Sequence, residues 1–136
     1  LRGKNDSLLI NDAYNASPTS MLAALQSLSM LQDYPHKIAV LGDMYELGEN
    51  EKQWHEKVAN AIGNNIDTVV CIGEKGRWIG EALLARNWHG QVYKYLSKDD
   101  ALTQLETMLS PKTVVLFKAS RGMQLETIVD QLVCRQ

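Results

Sequence analysis

Cysteine is scarce in this sequence, long apolar runs are missing, and neither sign of charge dominates. The 136 residues include two cysteines, Cys71 and Cys134, and neither belongs to a Cys-x-x-Cys pair. Cys71 lies in an apolar run, which predicts a buried thiol that behaves as a small hydrophobe. Because nothing requires an oxidising compartment, we expect a cytoplasmic protein. The longest apolar runs, of four to five residues, are too short to span a membrane.

Several functional motifs are also missing. There is no Gly-x-x-x-x-Gly-Lys-Ser/Thr phosphate loop, Gly-x-Gly-x-x-Gly, His-Glu-x-x-His or Gly-x-Ser-x-Gly. The sequence has no cluster of cysteines and histidines of the kind that binds a metal ion. A net charge of −2 gives no electrostatic basis for binding nucleic acid. The N-terminus lacks a signal-peptide core and an initiator Met, so we expect a fragment or an excised domain.

Five short apolar segments alternate with five helical patterns. Most of the segments are apolar throughout, which is typical of parallel strands covered on both faces. The alternation predicts an α/β fold, a Rossmann-like three-layer α/β/α sandwich with a mostly parallel sheet of about five to six strands. We expect a single domain over residues 1–136. The predicted strands are Leu8–Ile10, Lys37–Leu41, Thr68–Ile72, Gln91–Tyr95 and Thr113–Lys118.

Two of the predicted helices carry informative details. Ser17 is expected to cap the first helix, with Pro18 at its first position, where a missing N–H is harmless. In the second helix, from about Glu51 to Ile62, the spacing predicts that Trp54 faces the core.

Polar residues follow the predicted strands at the points where the strands end. In open α/β sheets, ligands bind beyond the carboxyl ends of the strands. We therefore expect one polar rim, with Gly42 permitting an unusual backbone angle at a strand exit. The residues concerned are Asp12, Asp43, Glu74, Lys118, Ser120 and Arg121.

Three of these segments resemble signatures of the Mur ligases, in the branch that adds D-alanyl-D-alanine to the cell-wall precursor. Residues 12–21, DAYNASPTSM, are similar to Asp-x-Tyr-Asn-Ala-Asn-Pro-x-Ser-Met, with Ser17 in place of Asn. Residues 39–48 resemble Ala-Val-Leu-Gly-Asp-Met-x-Glu-Leu-Gly, and His55 stands where the family often has His. Residues 118–126 resemble Lys-Gly-Ser-Arg-Gly-Met-x-Leu-Glu, with Ala119 in place of Gly. The three motifs occur in the family order across essentially the whole chain.

The resemblance implies the C-terminal domain of an ATP-dependent, amide-forming ligase of peptidoglycan synthesis. The N-terminal domain and the central domain would be absent, and the central one would carry the phosphate loop and hold Mg²⁺. The implied ligands are ATP and D-alanyl-D-alanine, with UDP-N-acetylmuramoyl-tripeptide bound through the other domains. We expect no catalytic residue and no metal ligand here, and no activity from this domain alone. The implied ATP-binding residues are Asp12, Tyr14 and Asn15, and the implied substrate-binding residues are Asp43, Lys118, Ser120 and Arg121.

Each of these positions also has a purely structural alternative. Lys118 can form a salt bridge with Asp12 or Asp43, and Asp43 can organise its loop instead of binding an ammonium group. His55 is expected to be a solvated or packed side chain. For the whole chain, the alternatives are the equivalent domain of a folylpolyglutamate or cyanophycin-type ligase, and a non-catalytic α/β module that uses the rim for a protein partner.

Overall fold

The five apolar segments form one parallel sheet. A computed structural model of the chain describes residues 1–134, so the last two residues of the expected domain lie outside the described part. The sheet order is β1-β5-β2-β3-β4, and all four pairings are parallel. The strands are β1 Leu8–Asn11, β2 His36–Leu41, β3 Thr68–Ile72, β4 Gln91–Tyr95 and β5 Thr113–Lys118. The predicted α/β class and the parallel sheet are confirmed.

Helices cover both faces of this sheet. They are α1 Pro18–Met30, α2 Glu51–Asn60, α3 Gly76–Ala85, α4 Lys98–Glu106 and α5 Glu126–Leu132. One apolar cluster joins α1, α2 and α3 to the sheet, and a second joins α4 and α5 to its other face. Alternate residues of β2 supply the two clusters: Ala39 and Leu41 belong to the first, Ile38 and Val40 to the second. The central strands are therefore buried on both sides, which explains their uninterrupted apolar sequence.

The start of α1 follows the sequence prediction. Ser17 has an extended backbone and its side chain accepts a hydrogen bond from the Ser20 N–H at 3.1 Å. The Ser20 hydroxyl in turn accepts from the Ser17 N–H at 2.9 Å, so a capping box is present, with Pro18 next in the chain. Since Ser caps a helix as well as Asn does, the departure from the family motif at position 17 keeps the helix start intact.

The interior face of α2 differs from the prediction. Trp54 is 36% exposed and packs under the Lys57 ammonium group, whereas His55 is completely buried. The buried stripe runs from His55 through Val58 and Ala59. The prediction that Trp54 faces the core is therefore wrong, because the phase of the helix was set by counting the tryptophan as apolar and the histidine as polar.

The segment after β5 does not enter an α-helix at once. Residues Arg121–Met123 form a single 3-10 turn, and Gln124 follows with a left-handed backbone. The α-helix α5 begins only at Glu126. Its buried side chains are Ile128, Val129 and Leu132.

Candidate functional site at the carboxyl edge of the sheet

The three motif segments meet at the carboxyl edge of the sheet. The register pairs Asn11 with Phe117 and Leu41 with Lys118, so β1, β5 and β2 end side by side. Backbone hydrogen bonds continue the contact beyond the strands, from the Ser120 N–H to the Asp43 carbonyl at 2.9 Å. We call residues 12–15, 43–45 and 118–121 the rim. The prediction that these distant segments converge is confirmed.

An ion pair between a buried lysine and a half-exposed aspartate joins the first and third segments of the rim. The Lys118 ammonium group donates to Asp12 Oδ2 at 2.9 Å and to the Asn15 carbonyl at 3.0 Å. The Lys118 side chain is 3% exposed, whereas the Asp12 side chain is 47% exposed. Both hydrogen bonds of the Lys118 ammonium group therefore go to the loop after β1, and the outer part of the Asp12 carboxylate remains open to solvent.

An aromatic ring and a guanidinium group form the outer wall of the same region. The Arg121 guanidinium lies 4.8 Å from the centre of the Tyr14 ring, within cation–π range. Tyr14 is 72% exposed. These two side chains, with Asn11, Ala13 and Glu126, line a cleft of about 330 Å³. A larger cleft of about 670 Å³ lies away from the rim, along Lys4–Asn5 and the end of α5, so cleft size does not mark the site.

Asp43 is turned inward, toward the start of α3. Its Oδ1 accepts hydrogen bonds from the Lys75 N–H at 2.9 Å and the Gly76 N–H at 2.6 Å. The residue is 7% exposed. A carboxylate from one strand exit therefore satisfies the free N–H groups of a helix that follows another strand. Gly73 permits this approach, because a Cβ there would lie 2.4 Å from Asp43 Oδ1.

Ser120 lies at the centre of the rim and is almost buried, with 6% exposure. Its Oγ accepts a hydrogen bond from the Tyr45 N–H at 2.7 Å. Within residues 1–134 no acceptor takes the Ser120 hydroxyl proton. The Tyr45 ring continues outward, where its hydroxyl donates to Met123 Sδ at 3.1 Å and burial raises its pKa. The serine hydroxyl is thereby fixed by a backbone donor and keeps its own proton for another acceptor.

His55 lies beneath the middle segment of the rim. The sequence predicted either a solvated or a packed side chain at this position, and the structure shows a packed one. Its Nε2 accepts a hydrogen bond from the Met44 N–H at 3.0 Å, and its Nδ1 lies 2.6 Å from the Glu51 carbonyl. Since a backbone N–H can only donate, the ring is neutral with its proton on Nδ1. Burial lowers the pKa of His55. The signal that could have found it is the spacing of 55, 58, 59 and 62 on one helix face.

Glycine is required at position 42 because the backbone there is packed closely against its neighbours. Its backbone lies outside the left-handed region, so the expectation of an unusual angle is wrong. A Cβ at residue 42 would lie 2.7 Å from the Cβ of Ala119. The exits of β2 and β5 therefore touch at these two residues. The methyl group that distinguishes this chain from the family motif at position 119 fills the space that Gly42 leaves.

The remaining observations limit what the site can hold. Glu74, which the sequence placed at a strand end, is exposed and lines a different cleft, with Arg77, Lys94 and Tyr95. Across residues 1–134 no three side chains of His, Cys, Asp or Glu come together in a way that could hold a metal ion. No helix in that part of the chain is long and apolar enough to cross a membrane.

The fold and the rim define an α/β domain that presents a ligand-binding edge where its parallel strands end. Residues 1–121 match the family described as Mur ligase, glutamate ligase domain. The chain therefore belongs to the Mur ligase family and corresponds to its C-terminal domain.

Named relatives agree with this assignment. The UDP-N-acetylmuramoyl-tripeptide–D-alanyl-D-alanine ligase of Bacillus subtilis is 45% identical over 126 residues, which are 92% of this chain and 28% of that protein. MurF from Acinetobacter baumannii superimposes with a TM-score of 0.78 at 30% identity, covering 93% of this chain and 28% of that one. MurF ligase from Thermotoga maritima, in complex with ADP, gives 0.76 at 27% identity, covering 96% and 28%. The chain thus spans about 28% of the length of these relatives.

Proposed function

We propose that this chain is the ATP-facing and dipeptide-facing domain of an ATP-dependent ligase that adds D-alanyl-D-alanine to UDP-N-acetylmuramoyl-tripeptide in peptidoglycan synthesis. The observation that carries the proposal is the convergence of Asp12, Tyr14, Ser120 and Arg121 on one edge of the sheet. Of the three relatives described above, one is a UDP-N-acetylmuramoyl-tripeptide–D-alanyl-D-alanine ligase and two are MurF enzymes, one of which is in complex with ADP. This favours that branch over a folylpolyglutamate or cyanophycin-type ligase.

The nucleotide side of the proposed site comprises Asp12, Tyr14 and Asn15. Lys118 occupies only Oδ2 of the Asp12 carboxylate, so the half-exposed group retains acceptor positions for the two hydroxyls of a ribose. Tyr14 offers an exposed ring at the mouth of the cleft. Asn15 is exposed, and its carbonyl is held by Lys118. We assign Lys118 the indirect role of fixing these three residues.

The dipeptide side comprises Ser120 and Arg121. The free hydroxyl proton of Ser120 and the exposed Arg121 guanidinium are both donors, which suits the carboxylate of the incoming dipeptide. Asp43 was expected to meet the dipeptide's ammonium group. Because its carboxylate is buried and bonded to two backbone N–H groups, we assign it the organisation of the loop between β2 and α2 instead.

The proposed reaction forms an amide bond. ATP transfers its terminal phosphoryl group to the tripeptide carboxylate, giving an acyl phosphate and ADP. The amine of D-alanyl-D-alanine then attacks the acyl carbon, and phosphate leaves as the amide forms. We infer that this domain positions the two ligands and excludes water when the whole enzyme closes, which is a large part of the rate gain in bimolecular reactions. Mg²⁺ would supply charge neutralisation on the phosphates, held mainly by another domain.

Amide chemical shifts of this chain test the proposal. Adding ADP is expected to shift the amides of Asp12, Tyr14 and Asn15, and adding D-alanyl-D-alanine to shift those of Ser120 and Arg121. L-alanyl-L-alanine serves as the stereochemical control. Neither addition should perturb the amino edge of the sheet. A protein-binding module predicts no response to either ligand, and that result would reject the proposal.

A matched pair of variants separates a specific contact from general electrostatics. Arg121→Ala and Lys112→Ala each remove one exposed cation, at the carboxyl and amino ends of β5 respectively. We expect the first to weaken dipeptide binding about tenfold and the second to change it less than twofold. Equal losses would mean that only net charge matters. Rapid ATP hydrolysis by the chain alone would contradict the role assigned to this domain.

A further inference from the structure

The buried imidazole of His55 fixes the middle segment of the rim from beneath. It spans from the Glu51 carbonyl at the start of α2 to the Met44 N–H just beyond β2. The ring is fully buried and meets Trp78 edge-on at 5.4 Å between ring centres. Its two nitrogens are both used, one as donor and one as acceptor. The side chain thus fastens the loop between β2 and α2 to the helix that follows it.

The residues on either side of Met44 are fastened to other elements. The Asp43 carboxylate binds the start of α3, and the Asp43 carbonyl accepts the Ser120 N–H. The Tyr45 N–H donates to Ser120 Oγ at 2.7 Å. Met44 lies between these two contacts, and its only side-chain acceptor in the described structure is His55. The imidazole thus holds the peptide between Asp43 and Met44, and the next peptide carries the Tyr45 N–H that donates to Ser120 Oγ.

We propose that His55 is a positioning residue for the dipeptide, which acts through Met44 and Tyr45 to hold the Ser120 hydroxyl proton free for the ligand carboxylate. This role rests on the proposed function of the rim. His55 contacts no ligand in this proposal. It sets a backbone donor, and that donor occupies Oγ of Ser120 as an acceptor, so that the hydroxyl is left to donate.

The arrangement makes dipeptide binding depend on pH. A proton on Nε2 would turn the acceptor of the Met44 N–H into a second donor, and the two would repel. The charged groups that face the ring are Glu51 on its own helix, Asp43 from the loop after β2, and Lys75 at the start of α3. The two carboxylates favour the charged ring and the ammonium opposes it, but burial outweighs them and keeps the pKa of His55 below its ordinary value. The loop is therefore fastened at neutral pH and released in acid.

Two variants make the inference testable. His55→Gln retains an acceptor near the position of Nε2 but has no proton to gain. His36→Gln removes a histidine that is exposed at the opposite edge of the sheet, and serves as the matched control. In the unmodified chain, we expect the amide shifts of Met44, Tyr45 and Ser120 to titrate together with the His55 ring, below a pH of about 6.5. His55→Gln should abolish that titration, and His36→Gln should preserve it.

Binding of D-alanyl-D-alanine supplies the second readout. We expect the affinity of the unmodified chain and of His36→Gln to fall about tenfold between pH about 7.0 and a pH about one unit below the midpoint of the His55 titration. His55→Gln should bind about equally at both pH values. A dipeptide affinity that falls to the same extent in His55→Gln would overturn the positioning role. Tyr45 and Ser120 amides that titrate unchanged in that variant would also overturn it.

The two readouts separate this inference from the proposed function. If the dipeptide binds at neither pH, the proposed function fails and the positioning role fails with it. If the dipeptide binds equally well at both pH values in the unmodified chain, only the role of His55 fails. The amide titration distinguishes these cases, because it reports on the loop whether or not a ligand is present.

Discussion

The contact between Gly42 and Ala119 gives a sharp prediction about stability. Gly42→Ala would place a Cβ 2.7 Å from the Cβ of Ala119 and 3.1 Å from Cε of Met123. Two carbon atoms are comfortable at roughly 3.5–4.0 Å, so the first contact is about 0.8 Å too close. The methionine end can move aside, but the Ala119 methyl is attached to buried backbone. We expect the variant to lose about 1–3 kcal/mol of unfolding free energy, as overpacked cores do.

A double-mutant cycle measured by urea unfolding tests this contact. Ala119→Gly alone should cost about 1–2 kcal/mol, because a buried methyl is lost and the unfolded chain gains freedom. In that background, Gly42→Ala should cost at least about 1 kcal/mol less than in the unmodified chain. Gly63→Ala is the control, since a Cβ there meets nothing within 4 Å, and it should stay within about 0.5 kcal/mol. Additive effects of the two substitutions would refute the direct contact.

Three further predictions concern buried groups. Asp12→Ala should destabilise the chain by about 2–3 kcal/mol, because it leaves the buried Lys118 ammonium with the Asn15 carbonyl, whereas Lys118→Met should cost about 1 kcal/mol because Asp12 is half exposed. Urea unfolding that gives equal losses would contradict this. The pKa of His55 is lowered on folding, so the unfolded state binds the proton more tightly than the folded state. The stabilising contribution of the neutral ring should therefore be fully present above pH about 6.5 and be lost as the pH falls through the folded pKa. Unfolding curves of the unmodified chain and of His55→Gln check this pH dependence, and an equal slope in both would exclude His55 as its source. Burial raises the pKa of the Cys71 thiol to about 12, so a thiol reagent should label Cys134 in the native chain and label Cys71 only after unfolding; rapid labelling of both would show that Cys71 is accessible.

The sequence predicted the fold well because the apolar segments carry an unambiguous signal. The predicted bounds of β3, β4 and β5 coincide with the observed ones, and β1 and β2 differ by one residue at one end. The cap at Ser17 was equally readable, because it depends on residues that are close together in the chain. The position of Trp54 was not readable in this way, because a wide aromatic side chain tolerates the helix surface and a neutral histidine tolerates the core.

The same distinction between local and long-range information applies to the rim. That residues near 12, 43 and 118 follow strands could be read from the sequence, and parallel strands place such residues at one edge. Which of them touch could not be read, because this depends on the strand order β1-β5-β2-β3-β4. That order puts Lys118 beside Asp12, 106 positions away, and brings the Asp43 carboxylate to the start of α3.

The sequence by itself therefore determined the alternation of strands and helices, the family signatures and the edge of the sheet at which they would lie. Only the tertiary structure decided that Lys118 and Asp43 are bound internally, that Ser120 accepts the Tyr45 N–H, and that His55 contacts the loop between β2 and α2. The physical reason is that propensity and apolar spacing act between near neighbours in the chain. The partner of a buried charge, in contrast, is chosen by which strands become neighbours in space.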